Sequence, residues 1–490
     1  MDREVITGDS TPVDKSSNMK DNGSETSMHL EHIPTLHEGS DSSSWPSNPR
    51  DPRNWPKSKK NTQIIMVAFH SMVSTFMAAG IIPAFEVFAE EYGVTVPEAS
   101  YLTSIQILLL GICPIFWKPI TCVYGRYHVL MFSVVGSMVC NIGGAVCTSY
   151  GAQMATRILT AILISPPVGL GSGVITELCE PGERAQKLGW WTLMITMGTP
   201  GGPFIMGFVT QHAGVQWIFW IFTIINFAQF ICYLIFGDET MYHADHQPKA
   251  TTPSTAWTKL IPRRIDPRPI QLKEFLEPLL FARYPRVFIA ACAHSIVFCY
   301  ANIALIVEMP IVFGKKFHFN PQQIGLQFIA IIIGCVLGEQ VSGPMSDWFL
   351  RTLHKRRGHT CPADRLWLAY IGYATVYAGL LTWGFQLEKA DSWNVTPCVG
   401  AAIASFGNQV LMTILISFAV DSYKETATQV GLFINIFRHI IGFIGPFYFP
   451  PMFETLGLGT AAGVMLAIIG GCALIPTVAI QFVASRRKSG

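Results

Sequence analysis

Three ionisable side chains, Arg157, Glu339 and Arg438, stand deep inside long apolar stretches of the sequence. A charge placed in hydrocarbon costs at least about 2.5 kcal/mol, so each of them requires a partner or a task. Arg157 lies some way into its apolar run, about 9 Å along a helix. It reads either as a fixed positive charge that tunes a neighbouring acid or as a guanidinium bonded to backbone carbonyls of a broken helix. Glu339 precedes Asp347 along the same run, about 12 Å deeper. A lone carboxyl there is costly to ionise, which suits a group that binds and releases a proton; hydrogen bonding to a neighbouring helix is the alternative. Arg438 and His439 are adjacent, so on a helix they point about 100° apart and cannot both face one cavity squarely. His70 and His294 occupy similar places in the two halves of the chain, where packing and proton transfer are both open to an imidazole.

A second signal lies between Gly189 and Gly207, an apolar stretch interrupted by glycines and by Pro200 and Pro203. Gly198 and Gly202 are four apart, share a helical face and let another helix approach closely. The two prolines each remove a backbone donor and invite a kink. Close packing alone would account for such a stretch.

These residues need a membrane around them. The 490-residue chain is 50% hydrophobic and only 13% charged, about half the charge of a soluble protein. Its mean hydropathy is +0.36. A helix crossing a bilayer takes roughly 20 apolar residues. Runs of that kind appear near 63–85, 99–117, 128–148, 152–176, 187–210 and 215–236. After a polar stretch, others follow near 286–313, 322–344, 365–386, 397–420, 427–449 and 459–483. The expected division is a disordered tail over 1–60, a six-helix bundle over 61–237, a linker over 238–285, a second bundle over 286–485 and a C-terminus at 486–490.

Lysine and arginine fix the orientation. Lys57, Lys59, Lys60, Arg126, Arg184, Arg351, Lys355, Arg356, Arg357, Arg486 and Arg487 collect on one side, while the other holds only Lys315, Lys316 and Lys389. By the positive-inside rule both termini are cytosolic. Asn394-Val-Thr396 is a glycosylation sequon in an outer loop, and Asn22-Gly-Ser24 is a second one in the tail. The N-terminus lacks a basic region followed by an apolar core, so no cleavable signal is expected. The twelve cysteines fall mostly within apolar runs, show no metal-ligand spacing and read as small buried apolar residues, among them Cys232 and Cys472. No metal, cofactor, nucleotide loop or soluble catalytic domain is apparent, and nothing points to nucleic acid.

The halves repeat each other after the second and eighth runs, at Lys118-Pro-Ile-Thr-Cys-Val-Tyr-Gly-Arg126 and at Gly343-Pro-Met-Ser-Asp-Trp-Phe-Leu-Arg351. Both resemble the loop signature of the major facilitator superfamily, Gly-x-Leu-x-Asp-Arg-x-Gly-Arg-Arg. Asp347 holds the acidic position of the second copy; the first keeps Gly125 and Arg126 but has Cys122 for Asp and Tyr127 for Arg. The stretch at Gly189, Gly198, Gly202 and Pro203 is similar to the family's antiporter signature, Gly-x8-Gly-x3-Gly-Pro-x2-Gly, with Met206 in place of the last glycine. Arg157 matches the Arg of the fourth-span element. Smaller matches suggest the fungal twelve-span drug/proton antiporters: Asp-Pro-Arg-Asn-Trp-Pro56, Ser165-Pro166, Asp238-Glu-Thr240, Pro362 with Arg365-Leu-Trp367, Asp421-Ser-Tyr423, and Asn435 with Arg438.

The resemblance implies an all-α membrane protein with twelve helices in two six-helix bundles. It implies alternating access at the midplane and export of a small lipophilic compound against protons, by a monomer in the plasma membrane or the vacuole. It implies proton coupling at Arg157, Glu339 and Arg438, with Arg438 facing inward. Inner gates at Gly125, Arg126, Gly343, Asp347 and Asp421 follow in the same way. A substrate cavity is expected at Tyr300, Asn302, Asn408 and Gln409, while Asn141, Asn226 and Gln229 are expected to bond helix to helix. The replacement at Met206 suggests that Met206→Gly is tolerated. An importer of a nutrient or polyamine and a transport-inactive sensor are the other readings of the same fold.

Overall fold

Where no water reaches the backbone, a chain must satisfy its own donors and acceptors, and helices do so locally. The computed structural model describes residues 51–179, 181–241, 264–265, 271–357, 361–423 and 426–486, and among them there is no strand. The expected tail up to residue 50, the Asn22 sequon, most of the linker and Arg487 lie outside these residues.

Each apolar run forms one long helical segment. These are α1 Lys57–Tyr92, α2 Val96–Ile112 bending by 45° into Pro114–Tyr124, α3 Arg126–Val146, α4 Tyr150–Leu178, α5 Pro181–Ala213 and α6 Gln216–Phe236. After the linker come α7 Pro285–Phe317, α8 Pro321–Arg357, α9 Leu366–Lys389, α10 Thr396–Ser422, α11 Ala427–Leu456 and α12 Leu458–Ala484. Among the described residues, nine of these segments, or ten with the bent α2, are long and apolar enough to cross a membrane. The chain is a multi-pass, all-α membrane protein.

The breaks have local causes. In α1 the regular helix stops at Ala79, and a 3₁₀ turn over Ile82–Ala84 accommodates Pro83. In α7 the turns widen into a π-helix over Cys299–Glu308, just ahead of Pro310. The start of α2 is set by a capping box, Thr95 with Glu98. The twist at Gly125, φ +84°, lets α3 begin directly after α2.

Helices α1–α6 pack mainly on one another, as do α7–α12; α5 against α8 and α2 against α11 join the two sets. Outward faces stay apolar and exposed, as at Val139, Phe227, Ile235 and Phe482, which suits contact with lipid. All twelve cysteines are free. Cys232 and Cys472 lie on these exposed faces, so the expectation that they are buried is corrected.

Candidate functional site

The halves of the chain touch at a carboxylate. Thr192 Oγ1 on α5 donates to Glu339 Oε1 on α8 at 3.0 Å, and Gln409 Nε2 on α10 donates to Glu339 Oε2 at 2.7 Å. Gln409 Nε2 also lies 3.2 Å from Thr196 Oγ1, one turn along α5. Next to them Ser342 Oγ donates to Thr413 Oγ1 at 3.1 Å. Glu339 is half-buried, and both its oxygens are held by neutral donors, one from each half. Thr192 and Thr196 were not singled out in the sequence. Their signal is the i, i+4 spacing inside the glycine stretch, three residues past Gly189.

The glycine stretch itself faces α1. A Cβ on Gly198 would meet Thr75 Oγ1 at 2.1 Å and Met72 O at 2.3 Å. One on Gly202 would meet Phe76 O at 2.6 Å. A Cβ on Gly189 would meet nothing within 4 Å, so its place in the signature has no packing cause. Pro203 O lies 2.9 Å from where a Cβ on Gly325 of α8 would be, and Gly207 meets Pro321 O at 2.6 Å in the same way. Met206 is wholly buried. Met206→Gly would therefore open a cavity, at a cost of about 2–5 kcal/mol, which reverses the expectation that it is tolerated.

Arg157 is buried and bonds to backbone: Nη2 donates to Met77 O at 2.9 Å and Ala78 O at 3.1 Å, and Nε to Leu102 O at 3.4 Å. Met77 and Ala78 close the regular part of α1 just before its break, so their carbonyls are the ones a broken helix leaves free. This is the structural arrangement of the two considered. Arg438 Nη2 donates to Asn435 Oδ1 at 2.8 Å, and its guanidinium sits 4.8 Å from the Phe298 ring. It stays within its own half. His439 instead presses on Gly111 of α2, whose added Cβ would lie 2.3 Å from His439 Cβ. Of the two, His439 is thus the side chain in contact with the opposite half. His70 contacts Tyr233 Oη at 3.2 Å and Ser133 Oγ at 3.4 Å, whereas both ring nitrogens of buried His294 lack a partner.

At the end rich in lysine and arginine, each half closes on itself. Arg126 on α3 pairs with Glu177 on α4. Glu239 accepts from the backbone N–H groups of Arg126 and Tyr127, both at 3.0 Å, and caps α3. A Cβ on Gly125 would lie 2.3 Å from Glu239 Oε2. In the second half Arg365 Nε donates to Asp421 Oδ2 at 2.8 Å, while its Nη1 reaches Ser346 Oγ at 2.6 Å and Asp347 Oδ1 at 3.4 Å. Gly343 has open space around it. At the opposite end the halves meet: Tyr101 stacks on Phe447 at 4.5 Å, and His212 Nε2 lies 2.9 Å from Gln322 Oε1. Glu86 fills the space over Gly314.

The expected cavity residues are buried in this closed arrangement. Tyr300 packs against Phe449 at 5.9 Å, Asn302 and Asn408 are enclosed, and Gln409 belongs to the Glu339 cluster. Asn226 Nδ2 of α6 donates to Ser137 Oγ of α3 at 2.5 Å and bonds the two helices, whereas Asn141 Nδ2 donates to Ser137 O one turn back in its own helix at 2.8 Å and reaches another helix only at Met77 Sδ of α1, 3.8 Å away. Neither atom of the buried Gln229 amide has a partner. Asn394 is exposed between α9 and α10, at the end opposite the basic one.

Two six-helix halves that close on themselves at one end and on each other at the opposite end define a membrane transporter. A family model for the Major Facilitator Superfamily matches residues 67–446, and the chain belongs to that superfamily, whose members carry small molecules across membranes. It is 26% identical over 462 residues to an uncharacterized transporter of Schizosaccharomyces pombe, covering 91% of this chain and 92% of the relative. It is also 26% identical to the efflux pump vrtL of Penicillium aethiopicum, over 86% of this chain and 85% of that one. Among solved structures, a peptide transporter POT superposes with a TM-score of 0.61 at 16% identity, covering 88% of this chain and 96% of the other. The human organic anion transporter MFSD10 does so with 0.59 at 14%, covering 86% and 99%. These structures share the fold.

Proposed function

We propose that this protein exports a small lipophilic organic compound in exchange for protons, with residues 61–237 and 286–485 rocking about a site near the midplane. The observation that carries the reading is Glu339, whose two oxygens are shared between Thr192 of one half and Gln409 of the other. A proton on that carboxyl removes an acceptor and supplies a donor, so the bond across the halves is remade each time Glu339 is protonated or released. Several fungal relatives bear the name efflux pump, which supports export over uptake. The lysine and arginine asymmetry supports cytosolic termini. The exposed Asn394 sequon supports glycosylation on the other side. We take the transporter to work as a monomer in the plasma membrane.

The test is exchange in proteoliposomes under an imposed pH gradient. Efflux of a fluorescent lipophilic probe should follow the gradient in the wild type and lose its pH dependence in Glu339→Gln. Retained pH dependence in that variant would remove Glu339 from the mechanism, and probe accumulation driven by protons in the same direction would point to import.

A further inference from the structure

The basic end of α8 carries a feature that is independent of the transport reading. The helix has 37 residues, about 55 Å, against a hydrocarbon core of about 30 Å. Its last turns therefore extend past the apolar layer, and they hold Arg351, His354, Lys355, Arg356 and Arg357. Leu350, Arg351, His354 and Lys355 line a shallow, open hollow on the helix surface. Among the described residues no carboxylate forms an ion pair with these cations.

The same helical face continues back into the membrane as Trp348, Val341, Leu337 and Ile333, exposed by 66%, 40%, 53% and 50%. Spacings of three, four and seven residues keep these side chains and Arg351 and Lys355 in one stripe. Along it the surface changes from aliphatic to indole to cationic. An indole suits the headgroup level, and clustered cations beside a span attract anionic headgroups.

We propose that this stripe binds an anionic phospholipid. Its acyl chain lies along Ile333, Leu337 and Val341, its glycerol region sits beside Trp348, and its phosphate is held by Arg351 and Lys355 at the hollow. A free phosphate shares the last contact, but the aliphatic part of the stripe offers it nothing. The lipid is therefore the occupant that uses the whole surface.

The full-length protein, purified in detergent, is exposed to phosphatidylserine or phosphatidylcholine of identical acyl chains, and bound lipid is counted by native mass spectrometry. Phosphatidylserine should be retained about tenfold over phosphatidylcholine, and Arg351→Gln with Lys355→Gln should abolish the preference. The charge-preserving pair Arg351→Lys with Lys355→Arg should keep it, which separates lost charge from lost folding. Trp348→Ala should lower the retention of both lipids. Equal retention of the two lipids by the wild type, or an unchanged preference in the double Gln variant, overturns the proposal. So does full displacement of the lipid by millimolar inorganic phosphate, which would make the site one for phosphate alone.

Discussion

Helix α5 presents two faces that meet their neighbours by opposite means. Toward α1, Gly198 and Gly202 bring backbone against backbone, with Met72 O and Phe76 O where side chains would otherwise stand. Toward α8 and α10, Thr192 and Thr196 offer hydroxyls to Glu339 and Gln409. The first contact lies inside one half and has no titratable member, so nothing in it responds to pH or to a ligand. The second crosses between halves and turns on one carboxyl. The glycine signature thus packs α1 and α5 backbone to backbone, and the carboxyl proposed to carry the exchange sits on the other side of the same helix.

Substitutions on each face separate these roles. The largest effect is expected from Gly202→Val, whose side chain must displace the α1 backbone. Overpacking of this kind costs about 1–3 kcal/mol, and folded yield by size-exclusion should fall together with transport. Normal yield and transport would mean that the α1 face is not closely packed. Gly207→Val lies five residues on but meets Pro321 O of the opposite half. Here the fold should survive while closure of that end becomes harder, so a cysteine at Tyr101 should react several-fold faster with an impermeant maleimide. Unchanged labelling would show that α5 and α8 part elsewhere.

Thr192→Val removes one donor to Glu339 and leaves Gln409 in place, so transport should persist with a displaced pH profile rather than vanish. A profile identical to the wild type would break the link between the signature and the carboxyl. The smallest effect belongs to Gly189→Ala. With no neighbour within 4 Å of the added methyl, stability should stay within about 0.5 kcal/mol and transport rates should be unaltered.

Much of the fold was legible because it depends on local properties. Runs of apolar residues, the breaks at Pro83 and Pro310, and the Thr95–Glu98 cap need only their neighbours in the chain. The contacts at the basic end were half legible. Asp347 and Asp421 were identifiable by motif, but their common partner Arg365 was noted only as a motif match at the start of α9. In the first half, Cys122 marked a departure from the motif, and the cap supplied by Glu239 was not foreseen. That cap comes from a residue more than one hundred positions away.

The sequence by itself determined twelve helical segments in two sets of six, the basic side of the membrane, and the ionisable residues that must find partners in hydrocarbon. Only the tertiary structure decided which partners those are. It placed Arg157 on the carbonyls of a broken α1 and turned His439 rather than Arg438 toward α2. It brought Thr192 to Glu339 across 147 positions of chain. The physical reason is that transfer from water to lipid is a property of each segment, whereas a hydrogen bond depends on two groups meeting at about 3 Å, and only packing brings them there.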